Sequence, residues 1–227
     1  MKKAIIFDFD GTLTKKDQNI WKMLWEKCGY GTGPDSLYVK LYKEHRIQKK
    51  ITREQWFSST CTAFRFTRMH HKDLVNVSQQ IELLPGTEKL IKTLHSKGYK
   101  LYIVSGCIKE TIELVLGDLT KYFTHIESNQ CQFKSDGYLD KLIPTPYDYE
   151  GKADFVEGLK KKGFKAKNIV FVGNGDNDEY VYQTGCTTIC INPTLADHTN
   201  QTKWNKVYKD VNDITSLMDA TKETLGK

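Results

Sequence analysis

The chain has 227 residues, of which 39% are hydrophobic and 11% aromatic, which is enough to build a packed interior and excludes a wholly disordered chain. Its length suits one large domain, or a core domain with a smaller insertion. The net charge of +6 comes from 34 basic and 28 acidic residues that are scattered along the chain, whereas nucleic-acid-binding proteins usually cluster their basic residues. The densest basic run, residues 40–50, is interrupted by apolar residues and predicts a solvated helix face.

The cysteine pattern and the N-terminal segment bear on the cellular compartment. The six cysteines form no Cys-x-x-Cys pair and no zinc-binding spacing with histidine, so we expect free thiols in a reducing compartment. The first apolar stretch ends at Asp8, too early for a signal peptide, and no segment is long and apolar enough to span a membrane. We therefore expect a cytoplasmic protein. Cys107 is disfavoured as a nucleophile because no histidine is recognisably placed to activate it.

The first part of the chain changes character after one short strand. Residues 4–9 form a nearly continuous apolar run, which is typical of a buried parallel strand. Residues 15–82 then lack strands, and their periodicity predicts helices at 19–28, 37–45, 52–64 and 72–81. A run of helices in this position indicates a helical subdomain inserted into another fold.

Strands and helices alternate in the rest of the chain. Apolar runs predict strands at residues 100–104, 168–172 and 187–191, and a weaker one near 207–208. Helical patterns lie between or after them, at residues 85–98, 109–119, 152–162 and 213–225. Asp136 and Gly137 predict a tight turn between strands at residues 130–133 and 138–142. This alternation predicts an α/β core with a mainly parallel sheet.

Three polar clusters follow directly after predicted strands. Asp8 and Asp10 end the first strand, Ser105 and Gly106 follow the second, and residues 173–178 follow the third. Ligand sites in open α/β sheets lie at the carboxyl ends of the strands. We therefore expect these three clusters to converge on one crevice.

The converging groups suit phosphoryl transfer. Crowded carboxylates repel one another unless a cation lies among them, and an all-oxygen set of ligands suits Mg²⁺. An aspartate is ionised at neutral pH, so it can attack phosphorus without a general base and form an aspartyl-phosphate. A hydroxyl and backbone amides can then stabilise the phosphoryl oxygens. An Asp-x-Asp pattern alone is also common in simple turns, and the three clusters in this order are what favour the catalytic interpretation.

Four segments follow one another along the chain: Asp8-Phe9-Asp10-Gly11-Thr12, Ser105-Gly106, Lys152 and residues 173–178. In this order they resemble the four motifs of the haloacid dehalogenase superfamily of phosphohydrolases. The inserted helices resemble the first-position cap of that superfamily, and the hairpin before Lys152 is similar to its phosphoserine-phosphatase-like branch. The resemblance implies a three-layer Rossmann-like core formed by residues 1–14 and 83–227, with a helical cap domain at residues 15–82.

The resemblance also implies a role for each motif residue. Asp8 would be the nucleophile, and Asp10 would protonate the leaving oxygen and later deprotonate the attacking water. Mg²⁺ would be bound by Asp8, by the backbone carbonyl of Asp10 and by Asn174, and Asp178 would support the metal site. The phosphate would be bound by Thr12, Ser105, Gly106 and Lys152. The cap residues expected to face the substrate are Asp17 and Trp21. The second aspartate favours phosphate esters, because dehalogenases release halide without protonating it.

One residue departs from the family pattern, whose fourth motif usually begins Gly-Asp. Asn174 stands at the second position, and its amide oxygen would bind Mg²⁺ more weakly unless Asp176 or Asp178 compensates. Three functions remain open: a Mg²⁺-dependent phosphatase, a phosphotransferase or mutase, and a catalytically weak protein that binds phosphorylated ligands. The expected partner is a small phosphorylated metabolite: phosphoserine, a sugar phosphate, an amino alcohol phosphate or a methionine-salvage intermediate. Arg53 and Arg65 are candidates to bind a carboxylate of such a substrate.

Overall fold

The computed structural model describes residues 2–193 and 201–225. Within them, the strands are β1 (Ala4–Phe7), β2 (Lys100–Ile108), β3 (Phe123–Phe133), β4 (Leu139–Ile143), β5 (Ile169–Gly173), β6 (Thr187–Ile191) and β7 (Lys206–Tyr208). The α-helices are α1 (Ile20–Lys27), α2 (Leu37–Tyr42), α3 (Arg53–Phe66), α4 (His71–Ser78), α5 (Thr87–Ser96), α6 (Lys109–Leu116), α7 (Gly151–Lys161) and α8 (Leu217–Leu225).

All seven strands lie in one sheet, in the order β4-β3-β2-β1-β5-β6-β7. Each neighbouring pair is parallel except β3 and β4, which form the antiparallel hairpin that the Asp-Gly turn predicts. β1 lies at the centre, between β2 and β5. The carboxyl ends of these three parallel strands therefore meet at one edge, and the prediction of a mainly parallel α/β sheet is confirmed.

Helices cover both faces of the sheet, because the central strands are apolar on both sides. Ile5 and Phe7 of β1 join one apolar cluster with α5, α6 and α8, while Ala4 and Ile6 join another with α7. Each of these four side chains is fully buried. Burying one isoleucine or phenylalanine side chain stabilises a fold by about 1.5–3 kcal/mol, so the central strand is a major source of stability. The result is the expected three-layer architecture.

Helices α1 to α4 follow β1, as the sequence predicts. Asn19 accepts a hydrogen bond from the amide of Lys22 at the start of α1, and Thr52 forms a capping box with Gln55 at the start of α3. A π-helical turn, Lys43–Ile47, continues α2. The apolar side chains of these helices belong to the same cluster as one face of the sheet. The inserted helices therefore pack directly on the core.

Two strands differ from their predictions. β3 begins at Phe123, seven residues before the predicted strand, and its first half pairs in parallel with β2. This half was missed because its side chains are mostly exposed or half-buried, so it has no apolar run. β2 continues to Ile108, but its pairing with β3 is irregular between Val104 and Ile108. Ser105 and Gly106 thus lie in an irregular segment of β2, rather than beyond its end.

Two further findings concern the whole of the described chain. The six cysteines are free thiols, as expected. Among the described residues, we find no helix with both the length and the apolar character that a membrane span requires.

Candidate active site

The centre of the site is a buried lysine between two carboxylates. Nζ of Lys152, in the first turn of α7, lies 3.0 Å from Oδ2 of Asp8 and 2.5 Å from Oδ1 of Asp178. The side chains of Lys152 and Asp178 are 0% exposed. Burial lowers the pKa of Lys152, but Asp178 and Asp8 together raise it above its ordinary value, so the lysine stays charged. Burial raises the pKa of Asp178, and Lys152 opposes this shift.

Asp8 is fixed at the carboxyl end of β1. Its amide donates a hydrogen bond to the carbonyl of Val172, the neighbouring residue of β5, at 2.9 Å. Its Oδ1 accepts a hydrogen bond of 2.7 Å from the amide of Phe9, and its Oδ2 faces Lys152. Both carboxylate oxygens are therefore oriented, which suits a nucleophile that must attack along one direction.

Asp10 lies two residues further along the same loop. Its Oδ1 is buried and has no hydrogen-bond partner among the described residues. Burial, and then the charge of Asp8, raise the pKa of Asp10 from 3.8 to about 7. A carboxyl group with this pKa can both give and take a proton near neutral pH, which is the property of a general acid and base.

Ser105 and Gly106 lie beside these aspartates on β2. The carbonyl oxygen of Gly106 accepts hydrogen bonds from the indole Nε1 of Trp21, at 2.9 Å, and from Nδ2 of Asn129, at 2.7 Å. The amide of Cys107 donates to Oγ of Ser105 at 3.1 Å. This segment is thus held from α1 and from β3 at once.

The loop after β5, residues 173–178, is closed on itself by Asp178. Oδ2 of Asp178 accepts hydrogen bonds from the amides of Asn174 and Gly175, at 3.0 and 3.1 Å. Both oxygens of Asp178 are therefore engaged with the loop or with Lys152. The buried Asn174 places its side-chain amide against Gly11, where a Cβ atom would lie only 2.3 Å from Nδ2. Gly11 also has a positive φ of 70°, so this approach requires glycine.

The remaining residues that the sequence predicts for the site range from fully buried to exposed. Thr12 is fully buried, and its hydroxyl has no hydrogen-bond partner among the described residues. Trp21 reaches the Ser105 segment, as described above, and packs edge-on against Trp56. The side chain of Asp17 is exposed, as is that of Arg65. Arg53 donates a hydrogen bond of 2.7 Å from Nη1 to the carbonyl of Thr145, close to the site.

Sequence reasoning missed Asp148, which lies in a short 3₁₀ turn before α7. Its Oδ1 accepts a hydrogen bond of 2.9 Å from Asn129, and its carbonyl accepts one of 3.3 Å from Asn177. Its Oδ2 is buried without a hydrogen-bond partner among the described residues, and burial raises its pKa to about 6. A Cβ atom on Gly106 would lie 2.5 Å from Oδ1 of Asp148. A single aspartate in a polar connection carries no signal that could have identified it.

The oxygen atoms at the centre of the site fit Mg²⁺ by their chemistry. Asp8 offers a carboxylate oxygen, Asp10 a backbone carbonyl oxygen and Asn174 a side-chain amide oxygen, and Mg²⁺ typically takes one or two carboxylates with water and substrate phosphate. Oδ1 of Asp10, which is buried without a hydrogen-bond partner among the described residues, leaves the side chain of Asp10 available for proton transfer. No cluster of three acidic, histidine or cysteine side chains forms a metal site in residues 2–193 and 201–225.

Comparison with known proteins identifies relatives in sequence. The family described as haloacid dehalogenase-like hydrolase matches residues 2–179. The phosphoserine phosphatase of Lactococcus lactis is 24% identical over 178 residues, which cover 78% of this chain and 77% of that protein. That of Mycobacterium tuberculosis is 32% identical over 184 residues, covering 78% of this chain but 41% of its own length. The chain likewise spans only 53% of the phosphoserine phosphatase of Archaeoglobus fulgidus, with 23% identity.

Solved structures share the fold. A substrate-bound phosphoserine phosphatase has a TM-score of 0.74 and 19% identity, covering 97% of this chain and 98% of its own. A phospho-aspartyl intermediate analogue of phosphoserine phosphatase has a TM-score of 0.74 and 21% identity, covering 96% and 98%. At these identities the likeness concerns the fold.

Proposed function

The chain belongs to the haloacid dehalogenase-like hydrolases, and from this premise we propose that it is a Mg²⁺-dependent phosphatase that hydrolyses a small phosphomonoester. The observation that carries the proposal is the buried arrangement of Asp8, Lys152 and Asp178, with the free carboxyl oxygen of Asp10 beside it. The resemblance of the four motifs to this family is confirmed by the family match and by the phosphoserine phosphatase relatives.

In the first proposed step, an ionised oxygen of Asp8 attacks phosphorus. The new P–O bond makes an aspartyl-phosphate, and the bond to the leaving oxygen breaks. Asp10 gives its proton to that oxygen, so an alcohol departs rather than an alkoxide. In the second step water attacks the aspartyl-phosphate, Asp10 takes the proton back, and inorganic phosphate leaves as Asp8 is restored. A pKa of about 7 suits Asp10 to both steps.

Four groups are proposed to hold the phosphoryl oxygens. Ser105 and Thr12 offer hydroxyls, Gly106 offers its amide, and Lys152 offers positive charge. The engagement of the Gly106 carbonyl by Trp21 and Asn129 supports this assignment, because it fixes the peptide that follows Gly106 and so restricts the backbone of the Ser105-Gly106 segment.

Mg²⁺ is proposed to be bound by Asp8, by the backbone carbonyl of Asp10 and by Asn174, with Asp178 bracing the loop that carries Asn174. When bound, the ion would supply positive charge to the phosphoryl oxygens and reduce the repulsion between Asp8 and Asp10. Asp178 is assigned this supporting role because its Oδ2 accepts hydrogen bonds from the amides of Asn174 and Gly175 and so holds the loop in place.

We further propose that residues 15–82 act as a cap over the core formed by residues 1–14 and 83–227. The near-complete burial of Asp8, Ser105 and Lys152 supports this, since a substrate could reach them only after the cap moves. The names of the relatives make phosphoserine the first compound to test. Asp17 and Trp21 are the cap residues proposed to face the substrate. The free thiols favour a cytoplasmic location.

An aryl phosphate assay tests the proposal. Wild-type protein with Mg²⁺ should release phosphate from p-nitrophenyl phosphate, and Asp8→Asn should reduce this to background. Asp35→Asn, which changes an exposed aspartate, is the matched control and should retain turnover. Full turnover by Asp8→Asn would overturn the mechanism. Release of free phosphate without an acceptor distinguishes hydrolysis from transfer.

A further inference from the structure

Arg46 of the inserted helices makes an unusual set of contacts with the core. It lies in the π-helical turn Lys43–Ile47, and its side chain is only 11% exposed. Its guanidinium carbon lies 3.5 Å from the centre of the Tyr149 ring. Its Nη2 lies 3.3 Å from Oδ2 of Asp176, and the side chain of Tyr180 is close enough to interact with the guanidinium. The prediction that the basic run at residues 40–50 forms a solvated helix face therefore does not hold for Arg46, because its side chain contacts the core.

Both core contacts of Arg46 belong to segments that carry residues of the candidate active site. The carbonyl of Tyr149 accepts a hydrogen bond of 3.0 Å from the amide of Lys152, at the start of α7. Asp176 lies in the loop of residues 173–178, between Asn174 and Asp178. One side chain of the insertion thus touches the segment before Lys152 and the loop that follows β5.

The contacts of Arg46 with Tyr149 and with Asp176 depend on one another. Asp176 is 53% exposed, so its ion pair with Arg46 is weak by itself. The stacking of the largely desolvated guanidinium on the Tyr149 ring is stronger than this ion pair. The stacking also orients the guanidinium so that its Nη2 reaches Asp176. Lysine has one point charge and no planar fork, so it could not make both contacts at once.

We propose that Arg46 is a positioning residue, which holds the segment before Lys152 and the loop of residues 173–178 in their reactive arrangement when the insertion lies closed on the core. This inference rests on the proposed phosphatase function. Oδ2 of Asp176 is held by Arg46, so the site depends on Arg46 to keep this loop in place.

The chain provides a matched control for the test. Arg68 lies 4.6 Å from the centre of the Tyr138 ring, so it is also an arginine of the insertion stacked on a tyrosine of the core. Tyr138 lies in the β3–β4 turn and contacts His70 rather than a residue of the candidate site. Arg46→Met and Arg68→Met each remove an arginine–tyrosine contact between the insertion and the core, but only Arg46 also pairs with Asp176 and touches the segments of the candidate site.

Kinetics with p-nitrophenyl phosphate and Mg²⁺ test the positioning role. Arg46→Met should lower kcat by about 10- to 100-fold, with a much smaller change in KM, since a small displacement of catalytic groups has effects of this size. Arg46→Lys should recover only part of kcat. Arg68→Met should change neither constant by more than about twofold. Equal effects of Arg46→Met and Arg68→Met, or an effect of Arg46→Met on KM alone, would overturn the proposal.

Amide hydrogen exchange on the metal-free protein gives a second readout, which does not depend on activity. Arg46→Met should accelerate exchange at residues 43–50 and also at residues 174–180, while Arg68→Met should leave the second segment unchanged. Unchanged exchange at residues 174–180 in Arg46→Met would refute the positioning role. If wild-type protein hydrolyses no phosphomonoester, the proposed function fails, and the exchange experiment still decides what Arg46 does.

Discussion

The raised pKa of Asp10 links its proposed catalytic role to the stability of the fold, and Asp10→Asn tests both. In the folded protein the pKa of this group is about 7, against 3.8 for an ordinary aspartate. The folded state therefore holds the Asp10 proton more tightly than the unfolded state does. The stability that this proton contributes is fully present below the unfolded pKa and is lost as pH rises through the folded pKa.

The size of the effect follows from the two pKa values. One unit of pKa corresponds to about 1.4 kcal/mol, so a shift from 3.8 to about 7 contributes about 4 kcal/mol in total. Between about pH 5 and about pH 8, ionisation of Asp10 should reduce the free energy of unfolding by about 2.5 kcal/mol. Asparagine cannot ionise, so Asp10→Asn should lack this loss and should be the more stable protein at the higher pH.

Urea unfolding across this pH range, in EDTA and without Mg²⁺, measures the effect. The difference in unfolding free energy between Asp10→Asn and wild type should grow with pH, while the exposed control Asp35→Asn should track wild type. The same Asp10→Asn substitution should lower turnover by about 10²- to 10⁴-fold, because no group then protonates the leaving oxygen. Parallel pH curves for Asp10→Asn and wild type would refute the raised pKa of Asp10.

Two further predictions concern the groups around Asp8. Lys152→Met leaves the carboxylates of Asp8 and Asp178 buried without their shared cation, and should lower the free energy of unfolding at neutral pH by about 3–5 kcal/mol in urea titrations. A loss below about 1 kcal/mol would mean that these carboxylates do not need the lysine. Asn174→Asp should tighten Mg²⁺ binding measured by calorimetry, because a carboxylate replaces an amide oxygen. An unchanged affinity would exclude position 174 as a ligand.

The parts of the fold that sequence could predict are those determined by local pattern. β5 and β6 are almost wholly buried, so their apolar runs are continuous and easily recognised. Parallel strands bring their carboxyl ends to one edge of the sheet, and Asp8 and Asp178 consequently lie around one lysine. The first half of β3 escaped recognition because it is half-exposed and carries mixed polar and apolar residues.

The residues that sequence could not predict depend on contacts between distant segments. Arg46 and Asp176 are 130 positions apart, and the charge of Arg46 alone predicts a solvent-facing side chain. Asp148 acquires its environment from Asn129 and Gly106, neither of which is near it in sequence. The positions of Arg46 and Asp148 depend on how the inserted helices and the connection before α7 pack together, and no local sequence pattern predicts that packing.

The two hydrogen bonds on the carbonyl of Gly106 have an electronic consequence. They draw electron density toward that oxygen. The N–H of the same peptide group belongs to Cys107, and it therefore becomes a stronger hydrogen-bond donor to Oγ of Ser105. Hydrogen bonds in such a chain polarise one another, and each strengthens the next by about 10–30%. The indole of Trp21 could thereby increase the acidity of the Ser105 hydroxyl without touching it. An upfield shift of the Cys107 amide proton on Trp21→Phe would reveal this relay of polarisation, and an unmoved resonance would exclude it.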